Sequence, residues 1–147
     1  MDSPALPVFP KAFSCYKATT DKVYGSICIS ALNTILLVRG RKSNKWSFPK
    51  GHKKRGETYI ECAVRETYEE AGIALDNIVP TAYQRLSIGE YYFYDLEEEI
   101  LPNIVDTQEI VEARWMAVSE MRKESCNVDV NNFLTRLRRN NNFFRMT

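Results

Sequence analysis

Hydrophobic positions change period several times along the 147-residue chain, and each change marks an expected element. "KVYGSICIS" alternates, with Val23, Ile27 and Ile29 on one side, and predicts a strand. "TILLVRG" is a short continuous apolar run ended by Gly40, the pattern of a buried strand. "RKSNKWSFPKGHKKRGE" has no period and reads as a loop, with a brief extended "WSF" before Pro49. In "ETYIECAVRETYEEAG" the residues Ile60, Ala63, Val64, Thr67 and Ala71 recur along one helical stripe, and Gly72 supplies the stop. "VPTAYQRLSI" and "YYFYDLEEEI" predict two strands around Gly89, and "VEARWMAV" alternates again through Val111, Ala113, Trp115 and Ala117. "DVNNFLTRLRRN" closes the pattern as an amphipathic helix expected over 128–140, with Val130, Phe133, Leu134 and Leu137 facing inward. No internal repeat or linker interrupts this order, so the expectation is one mixed α/β domain over 1–147. Pro4, Pro7 and Pro10 make residues 1–20 an extended leader over that domain.

Composition adds little to this picture, but charge adds more. At 44% hydrophobic and 27% charged, the chain has the balance of a soluble globular protein. No apolar run approaches the roughly 20 residues of a membrane helix, and the N-terminus lacks the basic-then-apolar order of a secretory signal. Cys15, Cys28, Cys62 and Cys126 stand far apart with no C-x-x-C pair, the usage of reduced thiols in a cytoplasmic protein. The net charge of +1 hides two opposed segments. From Arg39 to Arg55 there are bases and no acid; from Glu90 to Glu112 there are acids and no base. Such segments are either plain solvated surface or, for the basic one, a seat for a phosphorylated ligand.

The acidic residues of the central helix change the picture most. At about 100° per residue, Glu66, Glu69 and Glu70 fall within one sector of about 100°, away from the apolar stripe. Carboxylates so placed repel one another, and a divalent cation with a preference for hard oxygen ligands relieves them. Glu66 and Glu70, four residues apart, can grip one ion with Glu69 close by. Arg65 lies one turn from both Glu61 and Glu69, where it can pair with and orient an acid. Gly51 and Gly56 allow the preceding loop to fold tightly against the helix. A basic loop over a metal-loaded acidic helix describes a site for phosphoanhydrides, which polarises phosphorus and generates hydroxide.

The spacing is also distinctive. Gly51, five residues, Glu57, seven residues, then "RETYEEAGI" resembles the Nudix box, G-x5-E-x7-R-E-U-x-E-E-x-G-U, where U is bulky aliphatic. Gly51, Glu57, Arg65, Glu66, Glu69, Glu70, Gly72 and Ile73 match, and only Thr67 departs, at an aliphatic position. A buried Thr67 can bond its hydroxyl back to the preceding turn and leave the helix intact. The resemblance implies an α/β/α sandwich with a mixed β-sheet between helices, and Mg²⁺- or Mn²⁺-dependent cleavage of a nucleoside diphosphate linked to another moiety. It implies metal ligation by Glu66, Glu69 and Glu70, completed by the carbonyl of Gly51. It also implies an orienting role for Arg65, with Glu57 or Glu69 as partner. Glu57 has an alternative reading as a helix N-terminal acid favoured by the macrodipole.

The general base has several candidates. Glu109 in "TQEIVEARW" comes first because it precedes the strand leading back to the site; Glu97, Glu98, Glu99 and Glu66 itself are the others. Lys50, Lys53, Lys54 and Arg55 are the candidate phosphate contacts. His52 reads either as a further contact or as an exposed loop residue. Trp46, Phe48 and two of Tyr91, Tyr92, Phe93 and Tyr94 divide between core packing and stacking on a ligand ring. "KWSFPKG" before the box and "EIVEARW" after it resemble messenger RNA decapping enzymes, while Pro49 to His52 resembles the P-K-G-H loop of diadenosine polyphosphate hydrolases. The resemblance thus implies a capped RNA 5′ end or another phosphorylated small molecule of the dinucleoside polyphosphate type. The alternatives are a diphosphoinositol polyphosphate hydrolase and a non-catalytic binding module. Arg136, Arg138, Arg139 and Arg145 extend the positive surface an RNA backbone would need.

Overall fold

The computed structural model describes residues 22–139. Alternation and apolar runs become β1 (Val23–Ser30), β2 (Ile35–Gly40), β3 (Trp46–Ser47), β4 (Lys50–Gly51), β5 (Ala82–Arg85), β6 (Gly89–Leu96) and β7 (Ile110–Met116). Three helices accompany them among the described residues: α1 (Tyr59–Ala71), α2 (Val118–Met121) and α3 (Val128–Arg139). The leader expected over 1–20, the last residue of the expected 128–140 helix, and Arg145 lie outside the described residues.

One mixed sheet of seven strands runs β3-β2-β1-β6-β5, with β7 on β2 and β4 on β1. β1 and β6 are parallel over their whole length, from Val23 opposite Gly89 to Ser30 opposite Leu96; the other pairs are antiparallel. β2 touches β1 only where Ile35 faces Ile29, then runs along β7 and leaves its other edge to β3. The segment from Trp46 to Gly51 fills the gap where β1 and β2 part. Its first half pairs with β2, and its second half pairs with Gly25 and Tyr24 of β1.

Both faces of the sheet are covered, which is why β2 reads as an unbroken apolar run. Ile27, Ile35, Leu37, Tyr91 and Phe93 pack with Val130, Phe133, Leu134 and Leu137 of α3. Cys28, Leu36, Val38, Tyr92 and Tyr94 pack beneath α1 with Ala63 and Ala71. Each Val, Leu, Ile or Phe among them contributes about 1.5–3 kcal/mol by leaving water. The result is the α/β/α sandwich expected from the sequence.

Two details correct the sequence reading. Tyr91, Tyr92, Phe93 and Tyr94 are all buried, none more than 6% exposed, so β6 offers no ring to a ligand. The buried stripe of α1 holds Cys62, Ala63, Thr67, Glu70 and Ala71, whereas Ile60 is 36% exposed. A carboxylate has taken a core position that simple periodicity gives to an apolar residue. Thr67 behaves as expected: its hydroxyl donates to the Ala63 carbonyl at 2.8 Å and meets the Ser26 hydroxyl at 2.5 Å.

α1 is sharply bounded. Thr58 caps it, accepting from the Glu61 N–H at 3.0 Å, while the Glu61 carboxylate accepts from the Thr58 N–H at 2.9 Å. Glu61 is thereby committed to the cap and is not a partner for Arg65. At the other end Gly72 takes the left-handed conformation, φ 73°, and its N–H donates to the Tyr68 carbonyl at 2.8 Å.

Candidate active site

The pairing of Lys50 and Gly51 with β1 brings the basic loop against α1. A Cβ on Gly51 would lie 2.1 Å from Cδ of Glu66, so only glycine lets backbone and carboxylate approach this closely. The Cys62 thiol donates to the Gly51 carbonyl at 3.5 Å and fixes the same contact from the helix side.

Arg65 binds the loop and the acids into one network. Its Nε donates to Glu57 Oε2 at 2.5 Å and its Nη2 to Glu57 Oε1 at 3.1 Å, a two-pronged pair. Nη1 reaches Glu66 Oε2 at 3.0 Å and Glu69 Oε1 at 3.3 Å, and Nη2 also donates to the His52 carbonyl at 3.1 Å. Glu57 in turn accepts from the Lys54 N–H at 2.9 Å. The Arg65 hydrogen bonds hold the Glu57 carboxyl below its usual range, and the Arg65 guanidinium is raised above its own, chiefly by Glu57. Of the partners expected for Arg65, Glu57 therefore dominates and Glu69 is secondary, while the bond to Glu66 is one the sequence did not suggest.

Glu66 and Glu70 are in a different condition. Burial pushes the Glu70 carboxyl up to about 8, against partial relief from Lys50. Burial likewise pushes Glu66 up to about 7, against the pull of Arg65. Glu109, on the segment before β7, lines the same cavity as Glu70, and its charge adds a little to the upward push on both acids. Glu70 is only 4% exposed, and its one described hydrogen bond is a long one, from the Lys50 N–H at 3.3 Å. Among the described residues no three His, Cys, Asp or Glu side chains converge as a ready-made metal set; Arg65 holds Glu66 and Glu69 instead. The donor chemistry nevertheless fits a hard divalent cation. Glu70, desolvated with one long hydrogen bond, gains most from a positive ion beside it, and Glu66 gains as well because burial outweighs the pull of Arg65.

Beside these acids opens a cavity of about 510 Å³. Glu70 and Glu109 line it together with Lys45, Lys50 and His52, with Ser47 and Asn127 as further polar contacts. Acids that need a cation and cations that suit phosphate thus share one wall.

Comparison with known proteins gives this arrangement its family. The NUDIX domain model matches residues 22–137. The chain belongs to the Nudix family. It is 26% identical over 121 residues to mRNA-decapping enzyme subunit 2 of Arabidopsis thaliana, covering 78% of this chain and 32% of that protein. It is 43% identical over 44 residues to the asymmetrical bis(5′-nucleosyl)-tetraphosphatase of Sus scrofa, covering 30% of each. The chain therefore spans about a third or less of the curated relatives it matches here. In fold it is similar to a C. elegans Ap4A hydrolase binary complex, with TM-score 0.64 and 20% identity over 79% of this chain and 93% of that one.

Within this Nudix fold the remaining candidates separate. Lys53, Lys54 and Arg55 sit on an exposed turn and do not line the cavity, whereas Lys50 and His52 do. Trp46 is not a stacking platform: it is 3% exposed, in the core, with the guanidinium groups of Arg39 and Arg114 at 5.8 and 5.2 Å from its ring. Phe48 is fully buried against Phe133, ring centroids 5.5 Å apart. Glu99 accepts from the Thr34 hydroxyl at 2.6 Å, at the end of β1 opposite to Gly51. Sequence reading missed Lys45, Ser47 and Asn127 on the cavity wall and Asp106 beside Glu109. Two of these had a signal: Lys45 its place in the basic segment from Arg39 to Arg55, and Asp106 the D-x-x-E spacing of a capped turn, "DTQE". No helix among the described residues is long and apolar enough to cross a membrane.

Proposed function

We propose that this Nudix protein is a divalent-metal-dependent pyrophosphohydrolase that cleaves a phosphoanhydride in a nucleoside diphosphate-linked substrate. The observation that carries the reading is the desolvated Glu70, one turn after the desolvated Glu66, on the wall of a cavity also lined by Lys45, Lys50 and His52. Glu66, Glu69 and Glu70, with the Gly51 carbonyl, are the residues that would hold Mg²⁺ or Mn²⁺. Bound there, such an ion supplies charge neutralisation and Lewis acidity at the phosphoryl oxygens.

The chain's own groups do the rest. Arg65 keeps Glu66 and Glu69 turned toward the loop. Glu109 takes a proton from the attacking water as its oxygen bonds to phosphorus. The anhydride P–O bond breaks, and the departing phosphate carries its electron pair toward Lys50 and Lys45. Lys53, Lys54 and Arg55 offer longer-range attraction to phosphates outside the cavity.

Capped RNA and dinucleoside polyphosphates share this chemistry, a polyphosphate with a nucleoside at each end. Similarity to a protein named for decapping over 78% of the chain favours the capped RNA 5′ end as the first substrate to test. The test is a panel of capped RNA, diadenosine tetraphosphate and a diphosphoinositol phosphate, each with Mg²⁺, Mn²⁺ or chelator. The expected result is metal-dependent release of nucleotide from one of the first two. Release from none, with the chain folded, would leave a binding module; release from the inositol compound alone would reassign the substrate.

A further inference from the structure

The segment between β6 and β7 is fastened to α1 through main-chain atoms. The Asn103 N–H donates to the Ala71 carbonyl at 2.7 Å. The N–H groups of Val105 and Asp106 both donate to the Glu69 carbonyl, at 3.1 and 2.8 Å. A Cβ on Gly72 would lie 2.0 Å from the Asn103 carbonyl oxygen, so the segment sits directly on the end of the helix. One end of this loop is therefore fixed to residues adjoining Glu70.

From that anchor the chain makes a single closed turn. Asp106 Oδ1 accepts from the Gln108 and Glu109 N–H groups, each at 3.2 Å, and the Asp106 carbonyl accepts from Ile110 at 3.1 Å. Arg41 closes the turn from outside: its N–H donates to the Glu109 carbonyl at 2.8 Å, and its Nη2 donates to the Thr107 carbonyl at 2.8 Å. Asp106 is half-buried, whereas Glu109 is exposed. Packing does little to place an exposed glutamate, so its direction follows from the turn that carries it.

We infer that Asp106 is a positioning residue for Glu109: its carboxylate closes the turn that holds Glu109 on the cavity it shares with Glu70, with Arg41 as the outer clamp. The inference rests on the reading of Glu109 as general base. Asp106 acts here as an acceptor, not as a charge, and asparagine presents the same Oδ1 to the same two N–H groups. Alanine removes the acceptor and lets the turn open, which spreads Glu109 over positions from which it cannot reach the water. The cavity contacts of Lys50 and His52 are untouched, so the loss falls on kcat.

The experiment uses the full chain with Mg²⁺ and whichever of capped RNA or diadenosine tetraphosphate it cleaves. Asp106→Ala should lower kcat by about 10- to 100-fold, with KM and the Mg²⁺ half-saturation unchanged within about twofold. Asp106→Asn should restore near-wild-type turnover. Asp106→Ala combined with Glu109→Gln should be no slower than Glu109→Gln alone, because both act through one group. Should Asp106→Ala cost the fold, Arg41→Ala loosens the same turn from the other side and should show the same kcat-only loss. Wild-type kcat in Asp106→Ala and Arg41→Ala while Glu109→Gln is impaired overturns the positioning role. So does an Asn variant as slow as the Ala variant, or additive losses in the double variant. Wild-type kcat in Glu109→Gln overturns the base assignment itself, and the positioning role with it.

Discussion

Gly51 and Glu66 touch with no side chain between them: a Cβ on Gly51 would stand 2.1 Å from Cδ of Glu66. Gly51 is thus a spacer that admits a carboxylate to the backbone. Gly51→Ala has to displace Glu66, and the Arg65 bond to Glu66 Oε2 with it. The variant should fold, since the side chain can swing toward the cavity, but its turnover should fall by about 100-fold or more. Its metal half-saturation should rise in parallel. Turnover and metal requirement both unchanged would show that the contact is dispensable.

The buried acids make a prediction about pH. Glu66 and Glu70 are held at about 7 and about 8, above the ordinary 4.5. Between pH 4.5 and 8 the metal-free folded state therefore keeps protons that the unfolded state has released. Stability from these groups is greatest at acid pH and is lost as pH rises through the folded values. In chelator, Tm should fall between pH 5.5 and 8.5 by an amount on the order of 10 °C. Glu70→Gln, which carries no charge to bury, should flatten that fall, raise Tm at pH 8 and abolish turnover. Added Mg²⁺ should raise wild-type Tm more at pH 8 than at pH 5.5, because Glu66 is then largely ionised and Glu70 about half so. A Glu70→Gln profile parallel to wild type would show that Glu70 ionises as an ordinary surface acid.

These effects also show how far the sequence could be read. Periodicity located the five longer β-strands and the two longer helices because both faces of the sheet and one face of each helix must leave water, whereas β4 lay in a stretch without period. Helical spacing put Glu66, Glu69 and Glu70 in one sector and Arg65 one turn from Glu69, whereas Glu57, which precedes α1, came from the resemblance to the Nudix box. It failed at Glu70, whose burial depends on β4 entering the gap between β1 and β2, a relation between segments distant in sequence. It failed at Trp46 for the same reason: an aromatic residue in a loop-like stretch is a core residue only if that stretch becomes β3. Lys45 and Asn127 belong to one wall because Trp46 pairs with Cys126. No local pattern records that contact.

Arg65 distinguishes charge from geometry. It bonds Glu57 through two nitrogens while a third reaches Glu66 and Glu69. Lysine has the charge but only one donor centre, so Arg65→Lys can serve Glu57 or Glu66, not both. The expected outcome is a kcat loss of about 10- to 100-fold with a Tm drop of a few °C from the freed loop. Glu57→Gln should give a smaller loss in the same direction, since one acceptor oxygen remains. Equal activity in wild type and Arg65→Lys would mean that any cation suffices at this position.

The basic residues divide by place, and salt can separate them. Lys50 lines the cavity beside the nearly buried Glu70, whereas Lys53, Lys54 and Arg55 stand on an exposed turn. Attraction from exposed charges is screened within about 8–10 Å at ordinary ionic strength, but contact inside a cavity is screened far less. Neutralising Lys53, Lys54 and Arg55 together should raise KM by several-fold at low salt, most for the substrate with the greatest charge. That difference should vanish by about 0.5 M salt, where the screening length is only a few Å. Lys50→Ala should raise KM and lower kcat at every salt concentration if Lys50 meets the phosphate as proposed, since it also relieves Glu70. The measurement is KM and kcat against ionic strength for the two variants and wild type. A Lys50→Ala effect that disappears with salt would move Lys50 to the solvated surface. A triple-variant effect that persists at high salt would place the exposed turn in direct contact with substrate.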